Sequence, residues 1–482
     1  MVTAGRELAR IVIGAPASGH GKTMIATGLI AALRRRGLEV SGHKVGPDYI
    51  DPGYHALASG RPGRNLDPWL VGEERIAPLL LHGALTPRPA DIAVIEGVMG
   101  LHDGVVGRAG FASTAQVARL ISAPVVLVLD TTAQGRSAAA TVLGMQLFDP
   151  GVRIAGVILN RVGSDRHESL LRAAMAEVGT PVLGAVARSD AIVTPSRHLG
   201  LIPVAERSAE AEATVAALGE LVAGSVDLEA VLALARCAPE LDCAAWDPAA
   251  EISAAWDPAE EISTAEISAG EPLVVAVAGG AAFTFGYAET SELLAAAGAT
   301  VIGFDPLRDL SLPAGTRGVV IGGGFPEAHA EALSANAALR AELAAFDGPI
   351  AAECAGLLYL CRELDGAPMV ARIDARAQMT PRLTLGYREA VAERDSPVAR
   401  AGQRVHGHDF HRTRTDPAHG PAAAWIYAGD RYDSAGDRYD SGGDRHAGAR
   451  HGFASPRLHA SYLHTHWAGQ PSAASRFVRA CR

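Results

Sequence analysis

One cysteine in the sequence, Cys354, occupies a position where a thiol can act as a nucleophile. It lies in PIAAECAGLLYL, between an apolar run that reads as a buried strand and a run that reads as a helix. A thiol at such a junction sits on a sharp turn beside a helix N-terminus, where the helix dipole and N–H groups favour thiolate over thiol. Free cysteines are more often simply buried. The turn nevertheless favours a nucleophile, and such a nucleophile needs a base.

A second chemical signal is the glycine-rich segment GAPASGHGKTMIATGLIAALRRRG near the N-terminus. Gly19 and Gly21 let the backbone wrap closely around phosphate oxygens, Lys22 supplies a positive charge, and Thr23 offers a hydroxyl to Mg²⁺. The spacing is a variant of the usual phosphate loop, because Pro16 stands where the first glycine is expected. A glycine-rich turn with a chance lysine is the alternative. The order of strand, loop and helix favours a nucleotide-binding phosphate loop.

Four acidic residues in two loops could hold a metal ion against bound phosphates. Glu96 ends the apolar run DIAVIE and Asp103 follows it, whereas Asp48 and Asp51 lie in GHKVGPDYIDPGYH. Mg²⁺ takes one or two carboxylates together with phosphate oxygens and water, so Thr23, Asp48 and Glu96 are the predicted metal ligands. Each acid could instead cap a helix. The metal role is favoured for Glu96, and the two roles are balanced for Asp51.

An open parallel sheet would bring these residues together. From residue 10 to about 235, short Val- and Ile-rich strands alternate with helices, as in RIVIGAP, LEVSGHKVG, DIAVIEGV, APVVLVLD, RIAGVILNRV and PVLGAVAR. This order predicts βα units with parallel strands, and ligands bind at the carboxyl ends of such strands. A second βα series begins at EPLVVAVAGG, passes through GVVIGGGF and GPIAAEC, and ends in a mixed, His-rich segment.

The sequence contains two local duplications, one between the two βα series and one within the second. Residues 244–268 repeat a ten-residue unit almost verbatim, and residues 429–446 read GDRYDSAGDRYDSGGDRH. Repeats this short are typical of linkers and insertions rather than of solenoids. We therefore predict two domains, 1–238 and 271–482, joined by a flexible duplicated linker over 239–270.

The composition argues against several classes of function. A net charge of −10 over 482 residues gives no electrostatic reason to expect nucleic acid or an anionic membrane as a partner. The five cysteines form no CxxC pair, so neither a zinc site nor a disulfide framework is indicated. No apolar run reaches the length of about 18 residues that a membrane span needs. We expect a cytoplasmic protein that acts on small molecules.

Nine motifs in order resemble the cobyrinic or hydrogenobyrinic acid a,c-diamide synthases of cobalamin biosynthesis. They are PASGHGKT, KVGPDYIDPGYH, NLDPW, EGVMGLHDG, GGGFPE, ECAGLLYL, LGYREA, HGHDFH and SYLHTHW. The resemblance covers nearly the whole chain apart from the two duplications. It implies an α/β protein with a P-loop parallel-sheet domain, similar to dethiobiotin synthetase, that activates carboxylates with ATP. A class I glutamine amidotransferase domain of the α/β class would follow and free ammonia from glutamine.

The resemblance implies a glutaminase site. Cys354 corresponds to the nucleophile and His464, in SYLHTHW, to the base. Many class I amidotransferases place an orienting glutamate two residues after that histidine. Here the position is His466, so the orienting group is open and His466 is itself a rival base. Backbone N–H groups suited to an oxyanion hole are those of Gly323, Gly324 and Ala355.

We assign no catalytic role to His408 and His411, since HGHDFH could be an edge strand with solvated histidines.

For the P-loop domain, the resemblance implies transfer of the terminal phosphoryl group of ATP to a substrate carboxylate. Ammonia then displaces phosphate. Lys22, Thr23 and Mg²⁺ would neutralise the developing charge. Asp48 and Asp103 are candidates for binding the corrinoid, and Asn160 resembles an asparagine that contacts adenine in related P-loop enzymes. The implied ligands are the corrinoid, ATP as co-substrate, L-glutamine and Mg²⁺.

Two alternatives stay open at this point. One is a cobyric acid synthase or another amidoligase of the same group, which the short motifs around Asp48 and Glu96 disfavour. The other is a ParA-like ATPase switch with an inert amidotransferase domain, which the alanine at position 17 disfavours, because such switches carry a lysine there. The cobalt content of the corrinoid, the order in which the a and c groups react, and the number of subunits are also open, with a homodimer as one candidate.

Overall fold

A computed structural model describes residues 7–188, 196–197, 200–201, 204–206, 208–255, 272–432 and 448–482. The chain divides into two compact units, Met1–Trp246 and Asp247–Arg482. Both are layered α/β structures, as the sequence predicts. Among the described residues, no helix combines the length and the apolar character that crossing a membrane requires.

The first unit is built on a parallel sheet of seven strands in the order β3-β2-β4-β1-β5-β6-β7. Its main strands are almost entirely buried runs of Val, Ile and Leu, as expected for a sheet covered by helices on both faces. All six strands predicted here are present, and the short β3 is an addition. The elements are β1 Arg10–Gly14, α1 Lys22–Arg35, β2 Val40–Val45, α2 Asp51–Ser59, β3 Arg64–Leu66, α3 Pro68–Val71, α4 Ile76–Leu85, β4 Ile92–Glu96, α5 Thr114–Leu120, β5 Val125–Asp130, α6 Ser137–Phe148, β6 Ile154–Val162, α7 Asp165–Glu177, β7 Val182–Ala187, β8 Ser196–Arg197, β9 Gly200–Leu201, α8 Ser208–Ser225 and α9 Leu228–Arg236.

The strand order explains why distant residues meet. Strands β2, β4 and β1 are neighbours and run parallel, so their carboxyl ends lie at one edge of the sheet. Lys44 is the second-last residue of β2, Glu96 ends β4, and the glycine-rich loop follows β1. The glycine-rich loop, Lys44 and Glu96 therefore lie together at this edge of the sheet.

The second unit combines two sheets. A six-stranded sheet has the order β11-β10-β12-β13-β21-β20, and a second sheet runs β15-β14-β16-β17-β22, with β18 paired to β16 and β19 to β18. The long antiparallel pair β16 and β17 forms what the sequence marks only as a mixed segment. The elements are α10 Pro248–Ala254, β10 Val274–Ala278, α11 Ala288–Ala296, β11 Thr300–Phe304, β12 Thr316–Ile321, α12 Ala330–Ala335, α13 Ala337–Ala345, β13 Ile350–Glu353, α14 Ala355–Leu360, β14 Glu363–Leu364, β15 Ala367–Pro368, β16 Arg376–Ala392, β17 Arg404–Asp416, β18 Trp425–Tyr432, β19 Arg450–His451, β20 Phe453–Ser455, β21 Leu458–Ser461, β22 His464–Thr465 and α15 Ser472–Ala480.

The predicted linker over 239–270 differs from the structure in its first half. Trp246 is buried, its backbone N–H donates to Pro78 O at 2.9 Å, and its indole ring packs edge-on against His82. Residues Pro248–Ala254 form α10, which Asp247 caps by accepting the Ala249 N–H. A buried tryptophan and a capped helix are not features of a flexible linker. Residues 256–270 and 433–446 of the two duplications lie outside the described residues.

Candidate active sites

The glycine-rich loop leads directly into α1, whose first residue is Lys22. Gly19 and Gly21 have φ angles of +82° and +96°, a region that residues with a Cβ rarely adopt. Behind the loop, Asn160 Nδ2 donates to His20 O at 2.9 Å and Asn160 Oδ1 accepts the Arg161 N–H at 2.9 Å. The asparagine predicted to contact adenine thus holds the shape of the loop here.

Lys22 lines a cavity of about 650 Å³ together with Gly19, Gly21 and Asn160. Its Nζ donates to Ala17 O at 3.2 Å and to Met99 O at 2.5 Å. Burial, and the neighbouring charge of Lys44, lower the pKa of Lys22 to about 8. Carbonyl oxygens are weak partners for a buried ammonium, so a phosphate that entered the cavity would be a stronger one.

A cluster of charged groups lies beside the loop, and we call Thr23, Lys44, Asp51, His55 and Glu96 the carboxylate cluster. Thr23 Oγ1 donates to Glu96 Oε1 at 2.6 Å and lies 3.2 Å from Asp51 Oδ2. Lys44 Nζ donates to Asp51 Oδ2 at 2.6 Å and to Glu96 Oε1 at 2.7 Å. His55 Nε2 lies 2.7 Å from Glu96 Oε2. Every member is buried except Thr23, which is partly buried.

The electrostatics of this cluster favour an ionised Glu96. Burial raises the pKa of Glu96, but Lys44 and His55 outweigh it and hold the pKa well below its usual range. Burial likewise lowers the pKa of Lys44, but Asp51 and Glu96 reverse the shift and raise it. For Asp51, burial and the nearby charges of Asp48 and Glu96 raise the pKa. The ammonium group of Lys44 therefore offsets part of the negative charge of Asp51 and Glu96.

The structure changes the predicted metal set. Asp48 Oδ1 accepts the N–H groups of Ile50 and Asp51 at 2.8 and 2.9 Å, so this carboxylate caps the turn that leads into α2. Asp51, not Asp48, is the acid that contacts Thr23. Both acids still line the cavity. Thr23, Asp51 and Glu96 converge as one hydroxyl and two carboxylates, which is a donor set that suits Mg²⁺.

Two further findings concern the predicted metal and substrate ligands of the first unit. Within the described residues, no group of three or more His, Cys, Asp and Glu side chains forms a metal-binding cluster. Asp103 does not line the cavity with the other predicted residues. Its Oδ2 accepts the Gly100 N–H at 2.9 Å and so closes the turn that follows β4.

The contact between the loop and Asn160 leads to a first prediction. An alanine Cβ at position 21 would lie 2.3 Å from Asn160 Nδ2, whereas nothing lies within 4 Å of one at position 19. Both substitutions incur left-handed strain of about 1–2 kcal/mol, so Gly19→Ala is a matched control. We expect Gly21→Ala to weaken binding of a non-hydrolysable ATP analogue about tenfold more, as measured by titration calorimetry. Equal losses would contradict a shape-holding contact with Asn160.

The predicted nucleophile lies on a strained turn between β13 and α14. Cys354 has φ +48° and ψ −101°, and its side chain is buried, with Sγ 3.9 Å from Phe410 O. The sequence predicts that this turn favours thiolate over thiol. In the structure, however, burial, followed by the charge of Glu327, raises the pKa of the thiol. Only the Ala355 N–H acts in the opposite direction. Helix α14, which follows the nucleophile, is six residues long and ends at Leu360.

The imidazole of His464 lies beside this turn. His464 Nδ1 is 3.8 Å from Oε2 of Glu353, the residue that precedes the nucleophile. A Cβ on Gly323 would lie 2.4 Å from His464 Cε1, so the glycine provides space for the ring. Burial, and the neighbouring His408, lower the pKa of His464 well below its usual value. A neutral imidazole is the form that can take a proton from a thiol.

One predicted oxyanion-hole donor is already used. The Gly323 N–H donates to Phe285 O at 3.0 Å in a two-way backbone pair, so we correct the prediction for this residue. The role of Ala355 as an oxyanion-hole donor stays a prediction. Its N–H faces the Cys354 sulfur. Gly324 has φ +156°, and a Cβ there would lie 2.1 Å from Ala282 O. Only glycine fits that backbone, and its role as a donor stays a prediction.

The remaining histidines are placed differently from the prediction of a solvated edge strand. His408 is buried on β17, between β16 and β22, and burial lowers its pKa to about 4. His411 stacks on Tyr462 at 3.9 Å. His466 stacks on Tyr287 at 4.0 Å, and its Nε2 lies 3.7 Å from Glu289. His464 as the base therefore stays a prediction, and its contact with Glu353, next to the nucleophile, supports it.

Three residues that sequence reasoning missed complete the two sites: Lys44, His55 and Glu353. A lysine inside the buried strand VSGHKV is a signal that could have identified Lys44, because buried lysines need a charged partner. His55 lies one helical turn after Asp51 on α2. Glu353 ends a buried strand next to the nucleophile, and its role depends on contacts with β22 that sequence alone does not reveal.

The two units match two family models. Residues 11–202 match the CobQ/CobB/MinD/ParA nucleotide binding domain, and residues 274–472 match the CobB/CobQ-like glutamine amidotransferase domain. The chain is therefore a nucleotide-binding P-loop domain followed by a glutamine amidotransferase domain, the class that its fold and sites define.

Full-length relatives identify the family within this class. A Streptomyces coelicolor hydrogenobyrinate a,c-diamide synthase is 56% identical, over 99% of this chain and 98% of the relative. A Mycobacterium bovis protein of the same name is 50% identical, and a Synechococcus cobyrinate a,c-diamide synthase is 41% identical, each over 98% of both chains. The chain belongs to the family of the hydrogenobyrinate and cobyrinate a,c-diamide synthases.

Proposed function

We propose that this protein uses ATP and glutamine to convert the a and c carboxylates of hydrogenobyrinic acid to amides. The observation that carries the proposal is the full-length similarity to synthases that bear this name. Relatives named for the cobalt-free acid are 50–56% identical and those named for cobyrinate are 38–42% identical. This difference favours the cobalt-free corrinoid as substrate.

The second unit would supply the nitrogen. His464 takes the proton of the Cys354 thiol, and the thiolate attacks the amide carbon of glutamine to form a tetrahedral intermediate whose oxygen faces backbone N–H groups. The intermediate collapses to a thioester as the imidazolium returns the proton to the leaving ammonia. Water then cleaves the thioester and releases glutamate. Because burial raises the pKa of the Cys354 thiol, the thiolate needs a base that takes its proton.

The first unit would activate the acid. A carboxylate does not react with ammonia at neutral pH, because oxide would have to leave. A carboxylate oxygen of the substrate attacks the terminal phosphorus of ATP, ADP leaves, and the product is an acyl phosphate. Lys22 would neutralise charge on the transferring phosphoryl group. Ammonia then attacks the acyl carbon, and phosphate leaves with the former carboxylate oxygen.

Mg²⁺ stays a proposal for this site. Thr23, Asp51 and Glu96 would hold the ion, and when bound it would neutralise charge on the phosphate oxygens. Lys44 contacts the same two carboxylates and keeps them oriented toward Thr23.

Asp48 and Asp103 are proposed to orient the corrinoid, and Asn160 to border the adenine. A cytoplasmic location and a homodimer also stay predictions, the latter to be tested by light scattering.

The proposal is tested by mass spectrometry of the corrinoid. The purified protein is incubated with ATP, Mg²⁺ and glutamine together with either hydrogenobyrinic or cobyrinic acid. We expect two carboxylates to become amides, and faster with the cobalt-free acid. No amide with either acid would contradict the function, and equal rates would contradict only the preference for the cobalt-free substrate.

The two alternatives predict other results. A cobyric acid synthase would amidate further carboxylates of the diamide, so incubation with the a,c-diamide distinguishes it. A ParA-like switch would hydrolyse ATP without any corrinoid product. Lys22 donates to the backbone carbonyl of Ala17, at the position where such a switch carries its additional lysine.

A further inference from the structure

The base of the glutaminase site lacks an acidic partner at the usual place in the sequence. Two residues after His464 stands His466, whose Nδ1 accepts the Ala468 N–H at 3.3 Å. Its ring stacks on Tyr287, and its Nε2 faces the buried carboxylate of Glu289. His466 is thus part of a separate packing arrangement and does not orient His464.

Glu353 contacts the strand that carries His464. Its Oε1 accepts two hydrogen bonds from Thr465, one from the backbone N–H at 3.1 Å and one from the hydroxyl at 2.7 Å. These bonds fix the residue directly after His464. The other oxygen, Oε2, lies 3.8 Å from His464 Nδ1, which is too long for a hydrogen bond but within the range of an ion pair. Contacts of this kind often tighten only when substrate binds.

We propose that Glu353 is the positioning residue of the glutaminase site and takes the place of the absent acid after His464. One oxygen fixes β22 through Thr465, and the other stabilises the imidazolium that forms when the proton of Cys354 moves to His464. The proton transfer leaves a thiolate and an imidazolium, and no other group changes charge. This inference deepens the proposed function and rests on the glutaminase activity of the second unit.

The charge state of Glu353 should then control the reaction. Burial raises the pKa of Glu353 from the ordinary 4.5 to about 7, against the two bonds from Thr465, which lower it. A quarter of the side chain is exposed, so protons from solvent can reach the carboxyl. Ionised Glu353 favours the imidazolium, and glutamine hydrolysis should therefore increase as the pH rises through the pKa of Glu353.

Other charges face the same pair of groups and set the background for this effect. His408, Asp409 and His411, all on β17, act on His464, with Asp409 raising its pKa and the two histidines lowering it. Glu327, Asp409 and Glu353 all raise the pKa of Cys354. A charged Glu353 therefore disfavours an isolated thiolate and favours the thiolate only when the proton stays on His464.

The test compares Glu353→Gln with Glu289→Gln. Both acids are near a buried histidine, at 3.8 and 3.7 Å, but only Glu353 contacts the strand of the base. The glutamine side chain keeps an acceptor for Thr465 and loses the charge. We measure kcat and KM for glutamine hydrolysis from pH 5 to 9, and ammonia-driven amidation as the control for folding.

We expect Glu353→Gln to lower kcat about 10²-fold, with KM nearly unchanged, and to abolish the acidic limb of the pH profile. Glu289→Gln should keep the wild-type profile, and Glu353→Asp should restore part of kcat together with the limb. An unchanged kcat and profile in Glu353→Gln, or an equal change in Glu289→Gln, would overturn the proposal.

If Glu353→Gln does not fold, Glu353→Asp decides the question: a retained acidic limb supports the proposal and a lost one overturns it. A wild-type protein that hydrolyses no glutamine would instead refute the proposed function.

Discussion

Replacing Cys354 with alanine should abolish glutamine-driven amidation, by about 10³-fold or more, while amidation driven by a high concentration of ammonia persists. The magnitude follows from the loss of a covalent nucleophile, whose removal leaves only binding and the oxyanion donors. Ammonia added from solution bypasses the thiol, since it attacks the activated carboxylate directly. The measurement is the rate of corrinoid amide formation with each nitrogen source.

Cys361→Ala is the matched control for this substitution. Cys361 lies seven residues after the nucleophile, is fully buried, and its Sγ donates to Leu357 O at 3.3 Å. We expect it to lower stability by no more than a few kcal/mol and to keep both activities. If Cys354→Ala also lost the ammonia-driven reaction while it remained folded, a role of the thiol confined to glutamine hydrolysis would be wrong.

Replacing Lys22 with methionine should have the complementary effect. We expect amidation to fall about 10²- to 10³-fold with glutamine and with ammonia alike, because one preorganised charge on the transferring phosphoryl group is lost. Glutamine hydrolysis by the second unit should continue. Glutamate release and amide formation are measured on the same samples.

Arg35→Met serves as the control for the loss of a positive charge on α1. Arg35 is in the last turn of the helix, its side chain is 56% exposed, and its ion pair with Glu220 spans 3.4 Å. Exposed pairs of this kind contribute about 0–1 kcal/mol, so both activities should stay near wild type. Equal losses in Lys22→Met and Arg35→Met would show that Lys22 does not act on the phosphates.

The parts of the two sites that depend on local backbone shape could be predicted from sequence. Glycines at positions 19 and 21 before Lys22, and a cysteine between a strand and a helix, both imply a specific turn, and both turns are present. The parallel sheet of the first unit could also be predicted, because its buried strands are short apolar runs separated by helices.

The parts that depend on tertiary contacts could not be predicted. Asp48 and Asp51 lie close together in the sequence, and only the fold shows that Asp51 contacts both Lys44 on β2 and Thr23. The Gly323 N–H is occupied because Phe285, 38 positions earlier in the printed sequence, pairs with it. The pKa of the Cys354 thiol rises because the thiol is buried, and burial depends on the packing of the whole unit. Trp246 likewise fixes a segment whose repetitive sequence indicated a flexible linker.

The most direct test of the division of chemistry between the two units follows the oxygen atoms. A corrinoid acid whose carboxylates carry ¹⁸O is incubated with unlabelled ATP and ammonia, and the inorganic phosphate is analysed by mass spectrometry. An acyl phosphate requires one labelled oxygen to leave with phosphate for each amide that forms. Phosphate without ¹⁸O, despite amide formation and ATP consumption, would contradict carboxylate activation by the first unit.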